Sequence, residues 1–263
     1  MEGILRITLF IMILIIMMLW EVYAPRRKLN YARQGRWFSN ISLSIINTLL
    51  VRFTLGAAAY FTATVAYEQG WGLLNLVSLP SWLSTVIAIV LLDLAIYGQH
   101  TASHQWSWLW RLHKIHHTDL DIDVTTAVRF HPAEIFLSMI YKVACVVILG
   151  ANPIAVIIFE VILSSSALFN HSNIAMPQKV DAVIRWFIVT PDMHRVHHSV
   201  IRSETDSNYG FSLSIWDRLF GTYIDQPQAG HINMTIGLAE YQKLDDTALN
   251  RLLVMPLKSD REL

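Results

Sequence analysis

The chain has 263 residues, 54% hydrophobic and 15% charged, with 20 Lys+Arg against 20 Asp+Glu. A soluble domain carries about a quarter charged residues, so this composition excludes an ordinary soluble protein and points to the membrane. Zero net charge gives no basic field for nucleic acid, and the single Cys145 gives neither a disulfide framework nor a thiolate metal site.

About 20 apolar residues cross a bilayer as a helix. Ile4 to Tyr23 is the clearest such stretch, without the short apolar core and small-residue cleavage site of a signal peptide. Phe38 to about Tyr67 is a second, interrupted only by Arg52, and a third runs from Leu83 past Asp93 to the first histidines. Glu134 to Gly150 and Ile154 to Phe169 flank the turn GANP, as two full spans or a hairpin dipping into the bilayer. From about Ser199 the chain is mixed and polar, with turns expected at NYG and FGTY and an exposed His231. The fold expected is all-α: a multi-pass transmembrane helical bundle carrying a histidine-rich helical cap.

Orientation follows from Arg26, Arg27, Lys28, Arg33 and Arg36 in the loop after the first span, which should stay in the cytosol. Counting crossings from there brings every histidine-rich segment to that same cytosolic face.

The histidines have helical spacing. His100 and His104 are four apart, and His113, His116 and His117 stand at i, i+3 and i+4, as do His194, His197 and His198. Thr190 as N-cap, Pro191 at the first helical position and Asp192 beside the positive helix end predict a helix under the last triplet. His171 stands alone in FNHSN, and His131 in RFHPAE is expected to cap a helix, orient a ligand or ligate directly. Imidazole binds metal as the neutral base, and one tetrahedral ion takes at most four ligands. The clustered histidines with His171 therefore suit two ions. Trp106, Trp108 and Trp110, with Arg111 and Lys114, read as an interfacial belt.

HX3H, HX2HH, an isolated His171 and a second HX2HH, set in LHKIHHTD, RFHPAE, NHSN, MHRVHHS and NYGFSLSIWDRLFGTY, resemble the sterol desaturase and fatty acid hydroxylase superfamily over roughly residues 85–225. The resemblance implies a membrane di-iron oxygenase with two iron ions and O2 as co-substrate, acting on a sterol, fatty acyl, sphingolipid or alkyl ether lipid. It implies His100, His104, His113, His116, His117, His171, His194, His197 and His198 as metal ligands. Some members carry a second histidine beside the counterpart of His171; here Asn170 or a water would fill that position. A catalytic domain at 85–225 would follow N-terminal helices and a basic loop at 1–84 and precede a cytosolic tail at 226–263. No haem module, iron–sulfur cysteine cluster or dinucleotide fingerprint is present, so a separate cytochrome, ferredoxin or reductase is expected as electron donor. A bacterial inner membrane is preferred to the endoplasmic reticulum, the closing DREL not being a retention signal. Two other readings stand beside this one. A zinc hydrolase would place a carboxylate base in its metal box, and a non-catalytic metal carrier would string ionisable groups across the bilayer.

Two further expectations concern the membrane interior. Asp93, Tyr97, His100 and His104 form one helical stripe, and Glu160, Ser164, Ala167 and His171 repeat its offsets, so the two stripes are expected to face each other across a cavity beneath the metals. Depth counted from GANP pairs Lys142 with Glu160, and a looser match pairs Arg52 with Asp93.

Overall fold

A computed structural model describes residues 2–258; the end of the C-terminal tail, including DREL, lies outside the described residues. The described residues contain helices and only isolated β-bridges. The principal helices are α1 (Glu2–Tyr23), α2 (Arg33–Thr54), α3 (Ala58–Glu68), α4 (Ser81–Gln105), α5 (Ser107–His117), α6 (Pro132–Leu149), α7 (Pro153–His171), α8 (Gln178–Ile184) and α9 (Pro191–His197). Five stretches are long and apolar enough to cross a membrane, and the chain is a multi-pass membrane protein. Its outer faces carry exposed apolar side chains such as Ile7, Phe53, Phe61 and Ile148, as a lipid-facing surface requires.

Helices α6 and α7 form an antiparallel hairpin about GANP. His131 and Asn152 cap them, each followed by proline at the first helical position, and α6 stops at Gly150 with φ +69°. A Cβ on Gly150 would meet the Trp71 carbonyl at 2.5 Å, so glycine is required both for the turn and for this contact. The far end of the bundle is closed by small residues, with Ala59, Ala63, Ala88 and Ala155 packed around Leu92, Val156 and Phe159.

Cross-helix contacts fix depth. Asn152 donates to Thr85 Oγ1 (2.9 Å) at the far end, Tyr141 to the Ala95 carbonyl (3.0 Å), and Asn47 to the Phe130 carbonyl (2.9 Å) where α6 begins. The second apolar stretch is therefore not one straight helix. Only the later part of α2 runs beside α6, and α3 completes that run after a break at Leu55–Ala57, where Gly56 has φ +54°. The first half of α2 lies in the histidine layer because one face carries Arg36, Ser39 and Asn40, all buried there.

Lys142 donates to Glu160 at 2.6 Å, as depth counting predicted. Arg6 of α1 also pairs with Glu160, so one carboxylate bridges two cations from different helices. The Arg52–Asp93 pair does not form. Arg52 is exposed, whereas Asp93 accepts from Trp216 Nε1 (2.9 Å) and the Leu213 amide (3.1 Å). The α2–α3 break removes the simple antiparallel register on which that pairing depended.

Candidate metal centre

Four elements deliver nine histidines to one end of the bundle. Helix α4 ends with His100 and His104; the chain turns at Trp106 (φ −96°, ψ 117°), and α5 brings back His113, His116 and His117. His171 closes α7, and α9, capped by Thr190 as expected, carries His194 and His197 with His198 at its end. All nine are at most 7% exposed.

The ligand atoms fall into two groups: His100, His104, His113, His117 and His197 in one, and His116, His171, His194 and His198 in the other, each within 4.8 Å. Each HX2HH triplet is divided. In α5 the i, i+4 pair joins the first group and the middle histidine the second; in α9 the pair joins the second and the middle histidine the first. On a helix the i and i+4 side chains lie one above the other, while i+3 is displaced sideways. Two such triplets facing each other can thus serve two neighbouring ions at once.

A surrounding layer of acceptors sets the rings. Nδ1 of His100 lies 2.8 Å from the Tyr209 carbonyl, that of His197 2.7 Å from the Ser207 carbonyl, and that of His104 3.2 Å from Asp206 Oδ1. His113 Nδ1 meets Glu134 Oε1 at 2.6 Å, while His116 and His171 use the Arg129 (3.2 Å) and Ala167 (2.7 Å) carbonyls. With Nδ1–H donating outward, each Nε2 lone pair faces inward. Nε2 of His104, His113, His117 and His197 has no protein partner, and the Nε2 atoms of His116 and His194 each lie 3.0 Å from that of His171. Buried orphan acceptors cost about 1–3 kcal/mol each, and facing lone pairs repel. A cation in each group relieves both, so the residues fit two metal ions. Burial, with neighbouring imidazoles, pushes His116, His117, His194 and His198 well below the ordinary histidine range and His197 down to about 3. The rings are accordingly held in the neutral, ligating form.

Three of the five rings in the first group lean on one loop, Asp206–Tyr209. Asp217 holds that loop by accepting from the Tyr209 (2.7 Å) and Gly210 (2.8 Å) amides. The loop leading from α5 to α6 is held by fully buried Arg36, which donates to Asp119 (2.9 Å) and Asp123 (2.8 Å). Arg129 binds Asn40 and Thr118 in the same network. Burial alone would raise the Asp119 acid; Arg36 and Arg129 hold it well below the carboxylate range. Arg26 grips both Asp192 oxygens at 3.0 Å and Arg27 the Met234 carbonyl at 2.8 Å, so basic residues first read as orientation signals also knit the cap together.

Other predicted residues lie elsewhere. His131 stands outside both groups, its ring engaged by the Ala133 amide (3.1 Å) and the Leu253 carbonyl (3.2 Å). Asn170 donates to the Phe211 carbonyl (2.6 Å), leaving its buried Oδ1 without a partner. His231 is buried, not exposed, with Nε2 3.6 Å from Asp192 Oδ2. Of the expected interfacial belt, Trp106 and Trp108 are exposed, but Trp110 packs 5.0 Å from His104 and Lys114 is buried.

The residues of the two stripes are engaged by neighbours other than each other. Asp93 and Tyr97 fasten α4 to the segment around Trp216, with the Tyr97 hydroxyl 2.9 Å from Thr222 Oγ1 and its ring stacked on Phe220. Glu160 turns to Arg6 and Lys142, Ser164 bonds back to the Glu160 carbonyl (2.9 Å), and Ala167 packs near Met17 and Val124. Helices α4 and α7 meet through Leu92, Val156 and Phe159 instead, which rotates both stripes toward other neighbours.

The fatty acid hydroxylase profile matches residues 85–222, spanning all nine histidines. The chain belongs to the fatty acid hydroxylase family. It is 27% identical over 240 residues to ornithine lipid hydroxylase OlsE of Rhizobium tropici, covering 84% of this chain and 67% of that protein. It is 28% identical over 169 residues to alkylglycerol monooxygenase of Xenopus tropicalis (62% of this chain, 36% of that protein). Cholesterol 25-hydroxylase of Rattus norvegicus is 23% identical over 140 residues, covering 52% and 45%. The chain thus spans about a third of the length of the alkylglycerol monooxygenase and under half that of the sterol enzyme. No solved structure matches it.

Proposed function

We propose that this chain is a membrane lipid oxygenase whose two histidine groups hold two iron ions. The observation that carries this reading is the pair of buried, all-imidazole groups built from shared HX2HH triplets, in a member of the fatty acid hydroxylase family. Bound iron with O2 supplies the oxidant that a lipid C–H bond demands and that no side chain provides. The protein's part is placement. Nine neutral imidazoles hold the ions, and Glu134 and Asp206 fix ring tautomers. Asn170 Oδ1, buried and unpartnered, is a further donor beside His171, directly or through a water. We assign the catalytic domain to residues 85–225, with 1–84 and 226–263 bracing it.

The basic loop after α1 supports a cytosolic position for the histidine end, where a separate cytochrome, ferredoxin or reductase would deliver electrons. The Rhizobium relative favours a bacterial inner membrane. Hydroxylation and desaturation both fit this site. The test is turnover of lipid extracts by reconstituted protein with a reductant, followed by mass spectrometry. Gain of one oxygen or loss of two hydrogens, strictly dependent on O2, is expected. Product formed without O2 would replace this reading with a metal-dependent hydrolase.

A further inference from the structure

A cavity of about 710 Å³ adjoins the five-histidine group at His104. His104 is the metal-group histidine in its lining, and Trp110, Val200, Leu238 and Met255 give it apolar walls. Its volume lies in the range of small-molecule sites. Its rim is basic. Five cationic side chains line it (Lys114, Arg202, Lys243, Arg251 and Lys258) against the two acids Glu240 and Asp246. Arg202 is answered by Asp206 (2.6 Å) and Arg251 by Asp245 and Asp246 (3.4 Å each), but Lys243 and Lys258 have no ion-pair partner among the described residues.

The depth of the opening points to its occupant. Gln105 and Ser107 line the cavity at the end of the α4 span, and Trp106 and Trp108, 56% and 55% exposed, stand beside them. Exposed tryptophans at the end of a span mark headgroup depth. Leu244 and Leu257, next to the two lysines in the chain, are also exposed and add apolar surface beside the charges.

We propose that this cavity binds the anionic headgroup of a membrane lipid, with Lys243 and Lys258 as its charge contacts. The carbons beside the polar head, not the end of the acyl chain, then lie nearest His104. The assignment rests on the oxygenase reading for its purpose, but binding can be measured without turnover. The experiment compares phosphatidylglycerol and diacylglycerol carrying the same fluorescent acyl tail, bound to the full chain in neutral detergent, with inorganic phosphate as competitor.

Wild type should bind the phospholipid at least about tenfold more tightly than the neutral lipid. Lys243→Glu with Lys258→Glu should erase that preference while metal content stays constant, and Leu238→Trp should weaken both lipids by filling the cavity. Where the double reversal fails to fold, Lys243→Ala gives the same readout with a smaller loss. Equal affinity for the two lipids, or a preference that survives the reversal in folded protein, overturns the proposal. Inorganic phosphate binding as tightly as the phospholipid would make this a site for a soluble anion and overturn the lipid assignment. Phospholipid binding as described without O2-dependent product would instead remove the oxygenase reading and leave the headgroup site standing.

Discussion

Because the HX2HH triplets are divided, single histidines report on separate groups, and so on separate ions if two are bound as proposed. His197→Ala removes a ligand from the first group and His116→Ala from the second; each should abolish turnover and reduce bound metal below two per chain. Either variant retaining two metals and normal turnover would dismiss the assignment. Glu134 touches no other group's ligand and acts only through His113. Its replacement by Gln should weaken one of two metal sites by roughly 10–100-fold, measured by competition with a chelator, with the helix content unchanged. Outside the centre, burial holds His231 at about 4 against an ordinary 6.5. The unfolded chain therefore takes up this proton at higher pH than the folded one. The stability that neutral His231 contributes is complete above about 6.5 and lost as pH falls toward 4. Melting at pH 7 and pH 5 should show a larger loss for wild type than for His231→Leu; equal losses would contradict the buried neutral ring.

At the scale of elements, Glu160 ties α1, α6 and α7 together through Arg6 and Lys142. Breaking it with Glu160→Gln removes the carboxylate that Lys142 and Arg6 share, a loss on the order of 3 kcal/mol for a buried pair. The swap Lys142→Glu with Glu160→Lys should restore folded yield only in part, because the new lysine meets Arg6; adding Arg6→Glu should complete the recovery. Full recovery with Arg6 intact would show that the Arg6 contact contributes nothing.

For the whole molecule, metal ions bound as proposed would couple to the stability of the cap. Four separate elements converge on the two groups and contribute nine buried rings, of which His104, His113, His117 and His197 have Nε2 atoms without a protein partner. Binding to the folded state alone stabilises by about 4 kcal/mol per site at a thousandfold excess over Kd. Chelation should therefore lower the unfolding temperature by several degrees and expose the cap to protease before the spans. An unchanged melting curve after both metals are stripped would refute this coupling.

Composition and periodicity by themselves determined the membrane class, the apolar stretches, the equal depth of Lys142 and Glu160 about GANP, and the nine histidines that converge. These are local properties: span length, a proline after a cap, offsets of three and four along a helix. Tertiary structure alone decided how the triplets divide between two groups, since that depends on how α5 and α9 face each other. It alone supplied the Tyr209, Ser207 and Arg129 carbonyls that set the rings, because a backbone acceptor leaves no mark in residue type. Arg36 looked like a topogenic charge until Asp119 and Asp123 closed around it. The Asp93 and Glu160 stripes were correctly placed on their helices and wrongly aimed at each other. Period says which residues share a face; only packing against Trp216 on one side and Arg6 on the other says where that face looks.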